Sequence, residues 1–343
     1  MHFGNNDWLA LTPEPALEPD LPIIDPHHHF WDFRLDRMPY QRYLLHELID
    51  DIGSGHNIVA TVFIEARAMY RADAPEELRP IGEVEFAQGL AAASASGLYG
   101  PCRVAEGIVG HANLNLGEDV GRVLDLLQAA SPDRFRGIRH SVTWDPSPDV
   151  PNSALYKIPG QMLSDPYRAG ARVLARRGLT LESWMYAPQL HELADFARAV
   201  PDLTIISNHV GGLLRFGPYA GLDDEVLEAW RQGIAEVAQR PNVYMKLGGL
   251  GMVHTGFDWH ARTKPVGSEE LADQMAPFIH YCIEKFGPER CMFESNFPVD
   301  KVSFSYNVVF NAFKRLSKDY SASERQAMFH DTAAKVYRLS SEV

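Results

Sequence analysis

Short apolar runs rich in β-branched residues recur along the chain. Longer stretches with an apolar residue every three or four positions separate them. The runs at 22–25, 58–65, 104–110, 135–141, 179–184, 203–208, 243–247 and 291–294 predict strands. The segments 41–52, 76–96, 117–130, 165–177, 189–200, 223–239, 268–286 and 304–317 predict helices. A last helix is predicted over 321–338, with Ser321 as N-cap and Glu324 completing a capping box. Strand followed by helix, eight times over, predicts α/β architecture with a parallel sheet. Eight such units in 343 residues fit a closed (β/α)8 TIM-like barrel, a single domain over 21–343 with a C-terminal helix. An N-terminal arm, 1–20, precedes it. The competing doubly wound sheet carries a G-x-G-x-x-G turn after an early strand, and none occurs here. Gly248-Gly249-Leu250-Gly251 has another spacing and follows the seventh strand.

Two connections are long for barrel loops. Segment 142–162 is stiffened by Pro146, Pro148, Pro151 and Pro159, and segment 249–267 carries His254, Trp259 and His260. Both follow strands, so both are expected as insertions at the catalytic rim.

Composition narrows the class. The formal charge of −13 argues against a nucleic-acid binder, whose phosphate contacts need a basic surface. No apolar run is long enough for a membrane span, so no membrane partner is expected. Cys102, Cys282 and Cys291 are widely spaced and odd in number, which fits neither a disulfide framework nor a zinc knuckle. With no basic-then-apolar leader in 1–20, a reducing cytoplasm is the expected location. A homo-oligomer is compatible with the sequence and not specified by it.

The chemistry gathers where the strands end. His27 and His29 leave the first strand two residues apart, so their imidazoles share a side. Glu65 closes the second strand, and His111 and Asn113 follow the third. Arg139 and His140 end the fourth, facing opposite ways. Glu182, Trp184 and Tyr186 mark the fifth, and Asn208 and His209 the sixth. Lys246 lies in the seventh, and Glu294, Asn296 and Asp300 follow the eighth. So many polar groups at the ends of apolar strands point to an active site. Plainer readings stand beside this one. Asp25 can orient an imidazole, Glu65 and Lys246 can form a structural ion pair, and His209 alone can be a core histidine.

Four elements in order carry a family resemblance: Asp25-Pro-His27-His-His29-Phe-Trp-Asp, Gly137-Ile-Arg139-His140, Ser207-Asn-His209-Val-Gly-Gly and Phe293-Glu-Ser-Asn-Phe-Pro-Val-Asp300. They resemble the amidohydrolase-related proteins of the lactonase and decarboxylase branch, which includes 2-pyrone-4,6-dicarboxylate lactonase and sugar-acid lactonases. The likeness spans residues 21–315. It implies a distorted barrel and a hydrolase that opens a cyclic ester. It also implies one divalent ion, zinc before others, on His27, His29 and His209; a metal-free form is the alternative. The sequence departs from the pattern at Asn296, where relatives carry the aspartate that activates water. An amide is no base at neutral pH. Asp300 is therefore the expected base, with Glu294 second.

The resulting expectation is a lactonase-like hydrolase acting on a small anionic molecule by water attack on the carbonyl. His209, Asp300 and Lys246 are the expected catalytic residues. Arg139, Trp31, Trp184, Tyr186, Asn296 and Glu65 are expected to hold substrate. The rival readings are a metal-dependent non-oxidative decarboxylase and a non-catalytic ligand-binding barrel.

Overall fold

The computed structural model describes residues 4–34 and 40–340. Eight parallel strands stand in chain order in one sheet. They are β1 Pro22–His28, β2 Asn57–Ile64, β3 Arg103–Gly110, β4 Phe135–Arg139, β5 Thr180–Ser183, β6 Ile205–Ser207, β7 Val243–Leu247 and β8 Cys291–Phe293. Helices Leu45–Ile52, Ile81–Ala95, Val120–Ala130, Asp165–Arg176, Leu190–Ala199, Asp223–Ala238, Ser268–Phe286 and Tyr306–Leu316 follow the strands in turn. This is the predicted (β/α)8 barrel.

Three predicted helices begin or run differently, each for a local reason. The first starts at Leu45 because Tyr43 exchanges both backbone hydrogen bonds with Trp31, at 2.9 and 3.0 Å. The second is split by Pro80 into a turn at Glu76–Leu78 and the helix Ile81–Ala95. The last passes through a wider turn at Ala327–Asp331 between Ala322–Gln326 and Thr332–Val336. Its Ser321 and Glu324 form the expected capping box.

Alternation along the strands sorts side chains into two layers. Ile23, Phe63, Ile108, Ile138, Leu181, Ile205, Met245 and Phe293 pack outward beneath the helices. Ile24, Val62, Ile64, Val109, Ile206 and Met292 point inward and meet Ala333, Val336 and Tyr337 of the C-terminal helix. That helix therefore plugs one end of the barrel with apolar side chains. The polar residues on the inner face, including Glu182, Lys246 and Glu294, are left towards the other end.

The seam between β8 and β1 closes the barrel beyond the end of regular β8. His29 N–H donates to Phe297 O at 2.8 Å, and Asn296 N–H to His27 O at 3.0 Å. Asp25 ties the same seam. Its Oδ1 accepts from Ser295 N–H at 3.0 Å and His27 N–H at 3.2 Å, and its Oδ2 from Ser295 Oγ at 2.6 Å and Tyr306 OH at 3.0 Å. The sequence suggested that Asp25 orients an imidazole. Instead its oxygens are occupied by the donors that join the first and last strands.

Residues 4–20 lie along the barrel's flank. Trp8 Nε1 donates to Arg262 O at 3.1 Å, and buried Lys314 donates to Leu17 O and Glu18 O at 2.6 and 2.8 Å. Among the described residues no helix is long and apolar enough to cross a membrane.

Burial pushes the Asp25 carboxyl from 3.8 up to about 6, against the pull of its four donors. The folded chain thus holds this proton more tightly than the unfolded one. The stability so gained is complete below pH 3.8 and is lost as pH rises through 6. Asp25→Asn cannot titrate. Urea unfolding at pH 4 and pH 7 is expected to show wild type losing about 2–3 kcal/mol relative to the Asn variant over that interval. A gap independent of pH would contradict this account of the seam.

Candidate active site

The strand ends converge on a cavity of about 220 Å³. Of the residues singled out in the sequence, His29, Trp31, Glu65, Arg139, Trp184, Tyr186, His209 and Asn296 line it. A larger crevice of about 740 Å³ runs under the N-terminal segment beside Tyr40, Asp51 and Lys301, and shares no lining residue with the cavity. His29, His209 and His254 line the smaller one, and no histidine lines the larger.

His29 and His209 line its floor, and His27 lies buried directly beneath them. His27 and His29 approach at Nε2, 3.3 Å apart, with rings edge to face. The His27 and His209 ring centres are 4.6 Å apart. Glu294, on the turn leaving β8, joins two of them: Oε1 is 2.7 Å from His209 Nδ1 and Oε2 is 2.7 Å from His27 Nδ1. His29 Nδ1 lies 2.8 Å from Ile64 O, which can only accept, so the proton is on Nδ1 and Nε2 is bare. Burial lowers the basicity of all three rings well below the usual histidine value, helped by Lys246 at His27 and by Arg139 at His29 and His209. They are neutral at physiological pH. Glu294 is raised to about 8 by burial, partly offset by Lys246.

Below this floor lies a second charged layer. Lys246 Nζ donates to both Glu182 oxygens at 3.0 and 2.9 Å and lies 3.1 Å from His27 Nδ1. Asn208 Nδ2 and the Tyr337 hydroxyl also donate to Glu182. Lys246 is fully buried and does not line the cavity. This corrects the expectation of a catalytic lysine in reach of substrate, because Lys246 sits one layer too deep on β7. The anticipated Glu65–Lys246 pair is likewise replaced by two others. Glu65 takes Arg139 at 2.8 Å, and Lys246 takes Glu182. Burial pushes Glu65 up, but Arg139 and His111 bring it net below the usual range, so it is charged.

Asp300 also departs from expectation. Its Oδ1 accepts from Asn296 Nδ2 at 2.8 Å and its Oδ2 from Gly251 N–H at 2.9 Å. Asp300 N–H bonds Asn296 O at 3.1 Å, so one helical turn carries its side chain behind Asn296, off the cavity wall. Burial holds its carboxyl well above the usual range. It is a strap between the β7 and β8 loops.

The glycine-rich turn after β7 has a steric purpose. A Cβ on Gly249, whose φ is +70°, would lie 2.3–2.4 Å from His209 atoms. A Cβ on Gly248 would lie 2.4 Å from Glu294 O. The turn is bare so that His209 and Glu294 fit beside it. His209 itself has φ +54° and Val210 +47°, a strained turn that carries the ring in over the end of β6.

Trp184 and Tyr186 form part of the cavity wall. Trp184 Nε1 donates to Ser153 Oγ at 3.0 Å and Tyr186 OH donates to Pro151 O, which pins the proline-rich insertion over the site. The ring edge of Trp184 meets His209, with centres 4.9 Å apart. Among the polar lining residues, sequence reasoning gave no role to Arg34, Arg67 or His254. Burial lowers His254 to about 4, and its Nε2 has no hydrogen bond. Its position in the long loop after the seventh strand was the available signal.

The sequence model of the family described as Amidohydrolase matches residues 24–339. The chain belongs to the amidohydrolase family. An uncharacterized protein of Sinorhizobium fredii is 33% identical over 339 residues, which cover 93% of this chain and 99% of the relative. L-fucono-1,5-lactonase of Burkholderia multivorans is 24% identical, covering 92% and 96%. A crystal structure of an amidohydrolase from Burkholderia multivorans with bound zinc has a TM-score of 0.71 at 23% identity, covering 93% and 99%, which speaks for the fold. Like its relatives, this amidohydrolase is an enzyme of the superfamily.

The floor residues suit a divalent ion. His27, His209 and Glu294 bring ligand atoms within 4.8 Å of one another. Glu294 stands on the Nδ1 side of both rings, the usual place for a carboxylate that orients metal-bound histidines. The Nε2 side would then be the one left for an ion. There, His27 and His29 are separated by 3.3 Å, close to the roughly 3.3–3.4 Å between two nitrogens on a tetrahedral zinc. Glu294 Oε2, although 2.7 Å from His27 Nδ1, is buried without a well-formed hydrogen bond.

Two outcomes follow from this packing. Lys246→Met leaves Glu182 buried and unpaired. It is expected to lower unfolding free energy by about 3–5 kcal/mol in urea titration, and adding Glu182→Gln to recover a large part. Gly249→Ala is expected to displace His209 and cut turnover by about 100-fold while circular dichroism stays native. Unchanged turnover would mean that the ring position is not set by this turn.

Proposed function

We propose that this amidohydrolase opens the ring of a small lactone by water attack on the ester carbonyl. The observation that carries the reading is the His209–Glu294 pair at the cavity floor: a neutral imidazole held at Nδ1 by a buried carboxyl, beside two more imidazoles and Arg139. Two curated relatives named as sugar-acid lactonases support it.

Each residue has a part. Glu294 fixes the His209 ring, so that Nε2 is the nitrogen left for a water in the cavity. His209 takes one proton as the water oxygen bonds to the carbonyl carbon. It returns that proton to the ring oxygen as the carbon–oxygen bond breaks, giving a hydroxy acid. Arg139, fixed by Glu65, supplies positive charge beside the carbonyl oxygen. Trp184 and Tyr186 exclude bulk water from one side. His27 and His29 would hold the divalent ion, with zinc first among the candidates. When bound, it would polarise the carbonyl and lower the pKa of water. Asp300 is not assigned the base, because its oxygens are engaged behind Asn296.

A panel of five- and six-membered lactones, followed by acid release, tests the reading. His209→Asn is expected to lower kcat by about 100- to 10 000-fold with KM little changed. Carbon dioxide release from an aromatic or unsaturated acid, without lactone opening, would replace it with decarboxylation. Elemental analysis is expected to find one divalent ion in wild type and none in His27→Ala. An ion content unmoved by that change would remove His27 from the metal site.

A further inference from the structure

The loop after β2 aims one arginine at the cavity at a cost in backbone strain. Arg67 has φ +57°, a left-handed conformation that disfavours any residue but glycine and tolerates asparagine and aspartate best. It is exposed and lines the cavity, between buried Ala66 and Ala68. The strain is held in place from behind. Fully buried Glu83 accepts N–H bonds from both Ala66 and Ala68 on Oε1, each at 2.8 Å, and so clamps the backbone on either side of Arg67. Arg34 Nη1 donates to Ala66 O at 2.8 Å and pins the same turn from the front. Gly82 admits it, since a Cβ there would lie 2.4 Å from Met69 O.

The apex side chain is not used to hold the turn, although its charge reaches Glu65 and His111. Among the described residues Arg67 makes no hydrogen bond or ion pair. The other two cavity arginines are engaged: Arg139 with Glu65, and Arg34 with Ala66 O and the Trp31 ring at 4.6 Å. Three arginines face one carboxylate around the cavity, in a chain whose net charge is −13. The site is thus a local positive field on an acidic molecule, which draws anions. A cavity of 220 Å³ is roughly 7–8 Å across, small beside the usual ligand pocket, so a group on Arg67 and a carbonyl over His209 belong to one small molecule.

We infer that Arg67 is a specificity residue that binds a carboxylate on the substrate, so that the preferred substrate is a lactone carrying a free carboxylate and not a neutral lactone. The inference rests on the lactone-hydrolase reading for the ring and on Arg67 alone for the charge. The fixed fork of a guanidinium matches a carboxylate with two parallel hydrogen bonds, which a lysine cannot copy. Positions distant from the reacting carbonyl contribute binding that orients it, so removal of Arg67 should appear chiefly in KM.

The test pairs γ-butyrolactone with its ring-carboxylated form, and uses 2-hydroxyglutarate, the opened product of the latter, as a binding probe. Wild type is expected to prefer the carboxylated lactone by about tenfold or more in kcat/KM. Arg67→Met is expected to lose that preference through KM and to bind 2-hydroxyglutarate at least about tenfold more weakly by calorimetry, with Arg67→Lys intermediate. Arg67→Gly relieves the left-handed strain. It should melt no lower than wild type, and so separates lost binding from lost fold. Equal use of both lactones, with probe binding the same in wild type and Arg67→Met, overturns the inference and leaves lactone hydrolysis standing. Arg67-dependent probe binding without opening of either lactone keeps the anion site and removes the hydrolase reading. No probe binding and no opening removes both.

Discussion

Ionisable groups inside the barrel are tolerable only in each other's company. Glu182, Lys246, Glu294 and His27 are all wholly buried in the interior. A single unpaired charge in such a place costs several kcal/mol, so the group must be neutralised, paired or hydrogen-bonded. Lys246 is paired to Glu182, Glu182 also takes Tyr337 and Asn208, and Glu294 lies between His27 and His209. The consequence is mutual positioning. No member of the set can move without exposing another to an apolar surrounding. That rigidity holds His27 and His209 at a fixed separation under the cavity.

The rest of the fold serves this arrangement from two ends. The C-terminal helix closes one mouth of the barrel with Ala333, Val336 and Tyr337, and the Tyr337 hydroxyl reaches the charged layer directly. At the other mouth the loops pass close by one another. Gly248 and Gly249 give way to Glu294 and His209, Asp300 straps the β7 loop to Asn296, and Ser153 and Pro151 anchor the aromatic wall. The seam at Asp25 sits between the two, and sets the height at which His27 and His29 leave β1. Reactive groups are thereby placed by packing and buried hydrogen bonds, with little left to loop motion.

Several of these features were legible in the sequence because they are local. Alternating apolar strands, helical spacing, the Ser321–Glu324 capping box and the His27-x-His29 spacing depend on neighbours a few residues away. Arg139 and His140 facing opposite ways is a property of one strand, and the structure has Arg139 at the cavity and His140 buried against Leu114 and Gln161. The fate of Asp25, Lys246 and Asp300 was not legible. Each was read as a chemical group near a strand end, but Lys246 and Asp25 find partners 64 and 270 residues away, and Asp300 is tied to Gly251 of the preceding loop. Arg67 escaped notice for a related reason: its significance comes from a left-handed turn held by Glu83, which no sequence pattern announces.

The sequence by itself determined the number and order of strands, the helix that follows each, the ring-closing architecture, and which polar residues stand near the strand ends. Those follow from periodicity and from covalent spacing along one chain. Only the tertiary structure decided depth and partnership: that Lys246 and Glu182 lie under the floor, that Glu294 links two histidines, and that Asp300 faces away from the cavity. The reason is physical. Burial and ion pairing are set by elements brought together across the barrel, and a difference of one layer along a strand turns a group in contact with substrate into one that holds its neighbour in place.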